Sequence, residues 1–248
     1  MSRARLQKLF AALLALAVWQ GAALLVHAPI LLPSPLQVAG RLSALVVTAD
    51  FWGTVCFSLL RIAGGFLLAL AAATVLAFGA GRFSLLEILL RPYVLAIKSV
   101  PVASFIILAL IWLQTSQLSL FISFLMVFPV LYTNVLAGIC SADRQLLEMA
   151  RVFRVPLGRR LRGIYLPQVM PYFRTAVSLG LGLCWKAGAA AEIIGLPAGS
   201  MGERLYTAKV YFQTADLFAW TVTIVAVSVV FERLFLALMD RLMGKAGL

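Results

Sequence analysis

Leu120–Ile139 runs for twenty residues without one charged side chain. A helix rises about 1.5 Å per residue, so about 20 apolar residues cover the hydrocarbon core of a bilayer. The run does not stand alone. Leu6–Val26, Phe51–Phe78, a stretch opened by Pro101 and reaching about Leu113, Pro171–Ile194 and Leu217–Leu238 are comparable. Across all 248 residues, 63% are hydrophobic and 12% charged, too little polar surface to clothe a soluble domain of this size. The expected fold is therefore all-α, a polytopic membrane protein with about six transmembrane helices. It forms a single transmembrane domain over residues 1–248, with 1–35 holding the first span and an outer turn, 51–238 the core spans, and 141–170 a basic loop.

The segments between the spans have distinct characters. Leu32-Pro33-Ser34-Pro35 breaks the first helix, and Leu36–Val47 reads as a short amphipathic helix at the outer surface. Gly79–Lys98 is a more polar inner connection, and Gln114–Ser119 a short outer turn. Gly195–Asp216 is an outer loop with a helical turn around Glu203–Tyr211, and Asp240–Leu248 a short basic tail. Val26-His27-Ala28 resembles a signal-peptide cleavage site, but the apolar run before it is longer than an h-region, so a retained helix is expected.

The net charge of +12 would suggest nucleic acid in a soluble protein. Here it reads as positive-inside bias, and no nucleic-acid partner is expected. Residues 141–170 carry Arg144, Arg151, Arg154, Arg159, Arg160 and Arg162. The outer segments carry only Arg41, Arg204 and Lys209, offset in part by Asp50, Glu203 and Asp216. Both termini are thus expected in the cytoplasm. Cys56, Cys140 and Cys184 lack metal-ligand spacing and read as reduced, packed thiols. His27, the single histidine, reads as a surface group.

There is no G-x-x-x-x-G-K-[ST], so the chain has no P-loop with which to hydrolyse ATP. There is no H-E-x-x-H, and Ser200 in Gly199-Ser-Met-Gly202 lacks the flanks and histidine of a nucleophile elbow. No cofactor is expected on this chain, and no catalytic residue is assigned.

The basic loop resembles the EAA loop of permease subunits of bacterial binding-protein-dependent ABC importers. That pattern is Glu-Ala-Ala, a Gly a few residues on, then Ile-x-Leu-Pro. Glu148, Ala150, Ile164, Leu166 and Pro167 match it, Met149 replaces the first Ala, and Arg154 stands where Gly is usual, a change expected to alter the local turn. Leu32-Pro-Ser-Pro35, Ser58-Leu-Leu-Arg61 with Gly64-Gly65-Phe66, Pro101-Val-Ala103, Asn134 with Gly138, and Trp185 through Ala191-Glu192 are similar to the nitrate, sulfonate and taurine branch, which includes permeases for thiamine-precursor pyrimidines. The resemblance implies a multi-pass protein of the bacterial inner membrane, a homodimer of permeases in lipid, two cytoplasmic ATPase subunits that carry ATP and Mg, and an extracytoplasmic solute-binding protein. It implies coupling to the ATPase through Glu148, Ala150, Arg151, Arg154, Gly158, Leu166 and Pro167. The solute would be a small organic anion or a heteroaromatic vitamin precursor. The alternative is a membrane scaffold or assembly factor without a transport path.

A charge at mid-bilayer costs about 2.5–3.5 kcal/mol on insertion scales, so such charges face protein or a water-filled path. Lys186 and Glu192 share one span, six residues and thus about 120° apart around the helix. Both are candidates for lining a path, with Arg61 and Asn134 beside them, although backbone bonding suits Arg61 and an interhelical hydrogen bond suits Asn134 and Thr133. Gly180, Cys184, Gly188 and Glu192 form a small, partly polar stripe, with Gly182, Lys186 and Ala190 the adjacent one; close helix packing suits their glycines and alanines, and path lining suits Lys186 and Glu192. Trp19, Trp52, Trp112 and Trp220 read as interfacial anchors.

Overall fold

The computed structural model describes residues 3–246, and all regular structure among them is helical. The last two residues of the expected basic tail lie outside that range. The helices are α1 (Arg3–Val26), α2 (Pro35–Val46), α3 (Ala49–Arg82), α4 (Ser84–Ser99), α5 (Val102–Ala109), α6 (Thr115–Cys140), α7 (Arg144–Val152), α8 (Leu157–Arg160), α9 (Leu166–Gly195), α10 (Met201–Val210) and α11 (Thr214–Ala246), with a π turn at Leu161–Tyr165 joining α8 to α9. Among the described residues, four helical stretches are long and apolar enough to cross a bilayer: Ala49–Arg82, Thr115–Cys140, Gly158–Gly195 and Thr214–Arg241. A fifth arises if α4 and α5 count as one bent span, and α1 contributes a shorter apolar stretch, Phe10–Val26.

Local chemistry explains most helix starts. Ser34 and Gln37 form a reciprocal capping box ahead of α2, with Pro35 in its first turn. Thr48 caps α3 through the Phe51 N–H at 3.3 Å, and Asp143 caps α7 through Gln145 at 2.8 Å. Two spans differ from expectation. The Pro101 segment is not an independent span: α4 and α5 meet at 104°, because Val100 takes the extended conformation required before proline and Pro101 has no N–H to donate. The fifth span does not start at Pro171. Its helix begins before Pro167, and Pro171 sits inside it. The π turn makes this possible, since Leu166 donates five residues back to Leu161 and the wider turn absorbs the missing Pro167 N–H.

α3, α6 and α9 form the core, around buried Ile62, Phe66, Val127, Leu131, Val177, Leu181 and Cys184. The α3–α6 crossing is close: a Cβ on Gly65 would lie 2.3 Å from the Leu120 carbonyl oxygen. Gly180, Cys184, Gly188 and Glu192 are all buried on α9, as a packing stripe requires. α11 lies against this core through Phe231 and Phe235, which meet Phe66 edge-on at 6.5 and 5.1 Å between centroids. Trp220 is not an interfacial anchor. It is buried and stacks on Phe51 at 5.2 Å, because the apolar face of α11 turns it inward. Trp52 and Trp112 are exposed, and the indole N–H groups of Trp19 and Trp52 donate to Pro33 and Val46 carbonyls at the loop level. Cys184 is buried, but Cys56 and Cys140 are exposed on outward faces of α3 and α6 and are not packed thiols.

Candidate functional site: a charged loop and a lysine-lined cavity

The basic segment folds as two short helices at one end of the bundle. Glu148, Met149 and Arg151 are exposed on α7, whereas Ala150 is buried and holds the helix down. Val152 and Phe153 are exposed beside them, 78% and 74%, so the charged surface carries an apolar tip that charge patterning does not reveal. Gly158 lies in α8, and Leu166 and Pro167 open α9, with Leu166 half-buried.

Arg154 sits in a left-handed turn at the end of α7. Its φ is 49°, the left-handed value that glycine adopts most readily. Val155 donates to the Ala150 carbonyl at 2.9 Å and Arg154 to that of Arg151 at 3.0 Å, the paired bonds of a Schellman cap. The cap geometry overrides the side-chain preference, because these bonds satisfy carbonyls that α7 would otherwise leave open. Arg154→Gly should therefore stabilise the assembled protein by about 1 kcal/mol, relieving the left-handed strain. Thermal unfolding of matched preparations measures this, and a lower midpoint for the glycine variant would contradict it.

The structure separates the two charged candidates of the fifth span. Lys186 is exposed and lines a cavity of about 300 Å³ with Lys98, Val102, Met126, Pro129 and Val130. Lys98 donates to the Thr133 hydroxyl at 3.2 Å. Among the described residues, no carboxylate lines this cavity. Lys98 comes from the last turn of α4 and Lys186 from α9, so the tertiary fold brings the two to one cavity.

Glu192 faces away from that cavity and is 1% exposed, so in this conformation it borders protein rather than a path. Its Oε2 accepts from the Ser58 hydroxyl at 2.7 Å and from the Gly202 N–H at 3.2 Å, while Ser58 Oγ accepts from the Met201 N–H at 2.9 Å. These two N–H groups belong to the first turn of α10, so carboxylate and hydroxyl satisfy donors that a helix start leaves open. Glu192 thereby ties the outer-loop helix to α3 and α9. The 120° offset along α9 accounts for the division between the two residues.

Arg61 lies over the Phe57 ring at 3.6 Å and donates to the Ser116 carbonyl, joining α3 to the start of α6. Asn134 donates to Val130 within its own helix at 2.8 Å; Thr133 makes the interhelical contact instead, because a four-residue offset puts the Val130 carbonyl directly in reach of the amide. Away from the core, Asp216 binds Arg41 and its hydrogen bond holds the Arg41 guanidinium above its ordinary range, while Asp50 binds Arg204 at 2.7 Å. Sequence reasoning missed Lys98, Ser58 and Gly202 as participants. Ser58 preceding Leu-Leu-Arg61 carried a signal only through the resemblance.

The family of binding-protein-dependent transport system inner membrane components matches residues 65–245. A Brucella melitensis protein named a probable ABC transporter permease is 30% identical over 86% of this chain and 87% of its own length. A Bacillus subtilis protein, a candidate aliphatic sulfonates transport permease by name, is 29% identical over 82% of this chain and 74% of its own. The taurine transport permease of Escherichia coli K12 is 26% identical over 90% and 83%. Together with its bilayer-length helices, the family match makes the chain a multi-pass protein of the bacterial inner membrane. It belongs to the binding-protein-dependent transport system inner membrane component family and is a permease subunit of an ABC importer.

Proposed function

We propose that this permease carries a small organic anion, of the sulfonate kind, inward by alternating access. The observation that carries the reading is the cavity lined by Lys98 and Lys186 with no carboxylate on its wall. Two ammonium groups beside apolar side chains suit a solute with one anionic head and a short apolar body. Relatives named for aliphatic sulfonates and taurine support the same class. A scaffold would have no use for such a cavity. Cytoplasmic ATPase subunits supply ATP and Mg, a solute-binding protein delivers the cargo, and two copies of the permease sit side by side in lipid. The α7 surface, with Glu148, Arg151, Val152 and Phe153 exposed, is the part the ATPase grips, at the cytoplasmic end. A motor that closes on ATP binding holds the inward- and outward-open states differently, and a rigid short helix transmits the bias.

The test is ATP-driven uptake into proteoliposomes holding the permease, its ATPase and its binding protein. An aliphatic sulfonate should accumulate and a neutral analogue of equal size should not. Glu148→Arg should lower uptake at least tenfold, either by weakening ATPase association or by leaving hydrolysis unlinked to transport. Wild-type uptake and stimulated hydrolysis in that variant would remove α7 from the coupling role.

A further inference from the structure

At the end of the bundle that bears α7 and α8, two cavities share a wall made by Phe78, Leu161 and Tyr165. One, of about 510 Å³, is completed by Gly158, Arg162, Leu166 and Val169 and is a mainly apolar slot with one guanidinium on its wall. The other, of about 540 Å³, gathers Arg82, Arg151 and Arg160 and has no carboxylate on its wall. The three guanidiniums come from the end of α3, from α7 and from α8, so only the tertiary fold brings them together. None belongs to the ion pairs formed among the described residues. Arg160 uses one nitrogen to donate to the Val155 carbonyl at 3.3 Å, and its Nε is buried with no hydrogen-bond partner. Like charges crowded at an apolar wall repel one another, and an anion seated among them removes that cost.

We propose that this is a binding site for an acidic phospholipid, with the phosphate between Arg82, Arg151 and Arg160 and an acyl chain in the slot beside Phe78. Guanidinium forks match phosphate oxygens in pairs, which suits Arg better than Lys here. Basic pockets between membrane helices on the cytoplasmic side bind the headgroups of acidic lipids. Free phosphate would occupy the basic half alone, and so would an acidic side chain from a protein partner. The shared wall between a charged cavity and an apolar slot is what selects a lipid.

The assembled transporter, purified in detergent, provides the test. Native mass spectrometry should find cardiolipin or phosphatidylglycerol retained on the permease, and added cardiolipin should raise the unfolding midpoint by several degrees. Phosphatidylcholine and millimolar inorganic phosphate should not. Arg82→Gln with Arg160→Gln should abolish both the retained lipid and the shift. Phe78→Trp, which narrows the slot and leaves every charge in place, should weaken both as well. Equal protection by inorganic phosphate would overturn the proposal in favour of a simple anion site. Lipid held by the isolated permease but expelled when ATPase subunits assemble would assign the face to a protein partner and overturn it too. Absence of retained acidic lipid on the wild-type complex would overturn it without any variant, and none of these readouts depends on which solute is transported.

Discussion

Gly202→Ala should detach α10 from the core. A Cβ at position 202 would lie 2.3 Å from Glu192 Cβ and 2.6 Å from the Glu192 carbonyl carbon. Backbone is involved, so no side-chain rotation relieves the clash and the start of α10 must lift away. Overpacking of this kind costs roughly 3 kcal/mol. The displacement also pulls the Gly202 N–H from Glu192 and the Met201 N–H from Ser58, bonds of 3.2 and 2.9 Å. Glu192→Ala attacks the same node from the other side, leaving the Ser58 hydroxyl and the Gly202 N–H without their acceptor at a cost of about 2–3 kcal/mol. Glu192→Gln keeps an acceptor oxygen and should be the mildest of the three. Unfolding midpoints of the purified transporter give the order directly. Equal stability of Glu192→Ala and wild type would mean that the carboxylate does not hold α10.

Lys186→Met should lower uptake ten- to a hundredfold while leaving assembly and basal ATP hydrolysis in place. The lysine is exposed to a cavity and makes no ion pair among the described residues, so its removal orphans no buried partner. Its contribution falls instead on the solute: a hydrogen bond to a charged group is worth about 1.5–3 kcal/mol, and each 1.4 kcal/mol is tenfold in affinity. Lys186→Arg keeps the charge and should retain part of the uptake. Lys98→Met should act in the same direction. Uptake by proteoliposomes, paired with the unfolding midpoint of each preparation, separates the two roles. A fall in stability with no separate effect on uptake would make Lys186 a packing residue, and unchanged values of both would end its part in transport.

The sequence by itself determined the class of the fold. Runs such as Leu120–Ile139 can be satisfied only in lipid, and hydrogen bonds within a helix are local, so the helices could be read from one stretch at a time. The same holds for the break at Leu32-Pro33-Ser34-Pro35, and for the stripe Gly180, Cys184, Gly188, Glu192, whose spacing marks one helix face. Helix junctions were less legible. Nothing near Pro171 announces that a π turn upstream lets one helix run through two prolines, and Pro101 announces a break after Ser99 but not that it folds α4 and α5 to 104°. The partner of each polar group was beyond reach. Lys186 and Glu192 look equivalent as intramembrane charges, yet one opens on a cavity with Lys98 and the other closes on Ser58 and Gly202. Ser58 and Glu192 stand 134 residues apart, and Arg82, Arg151 and Arg160 come from three helices to line one cavity. Periodicity reports which face of a helix is apolar; which other helix that face meets is set by long-range packing, and that packing decides whether a buried charge is a tie, a lining or part of a site.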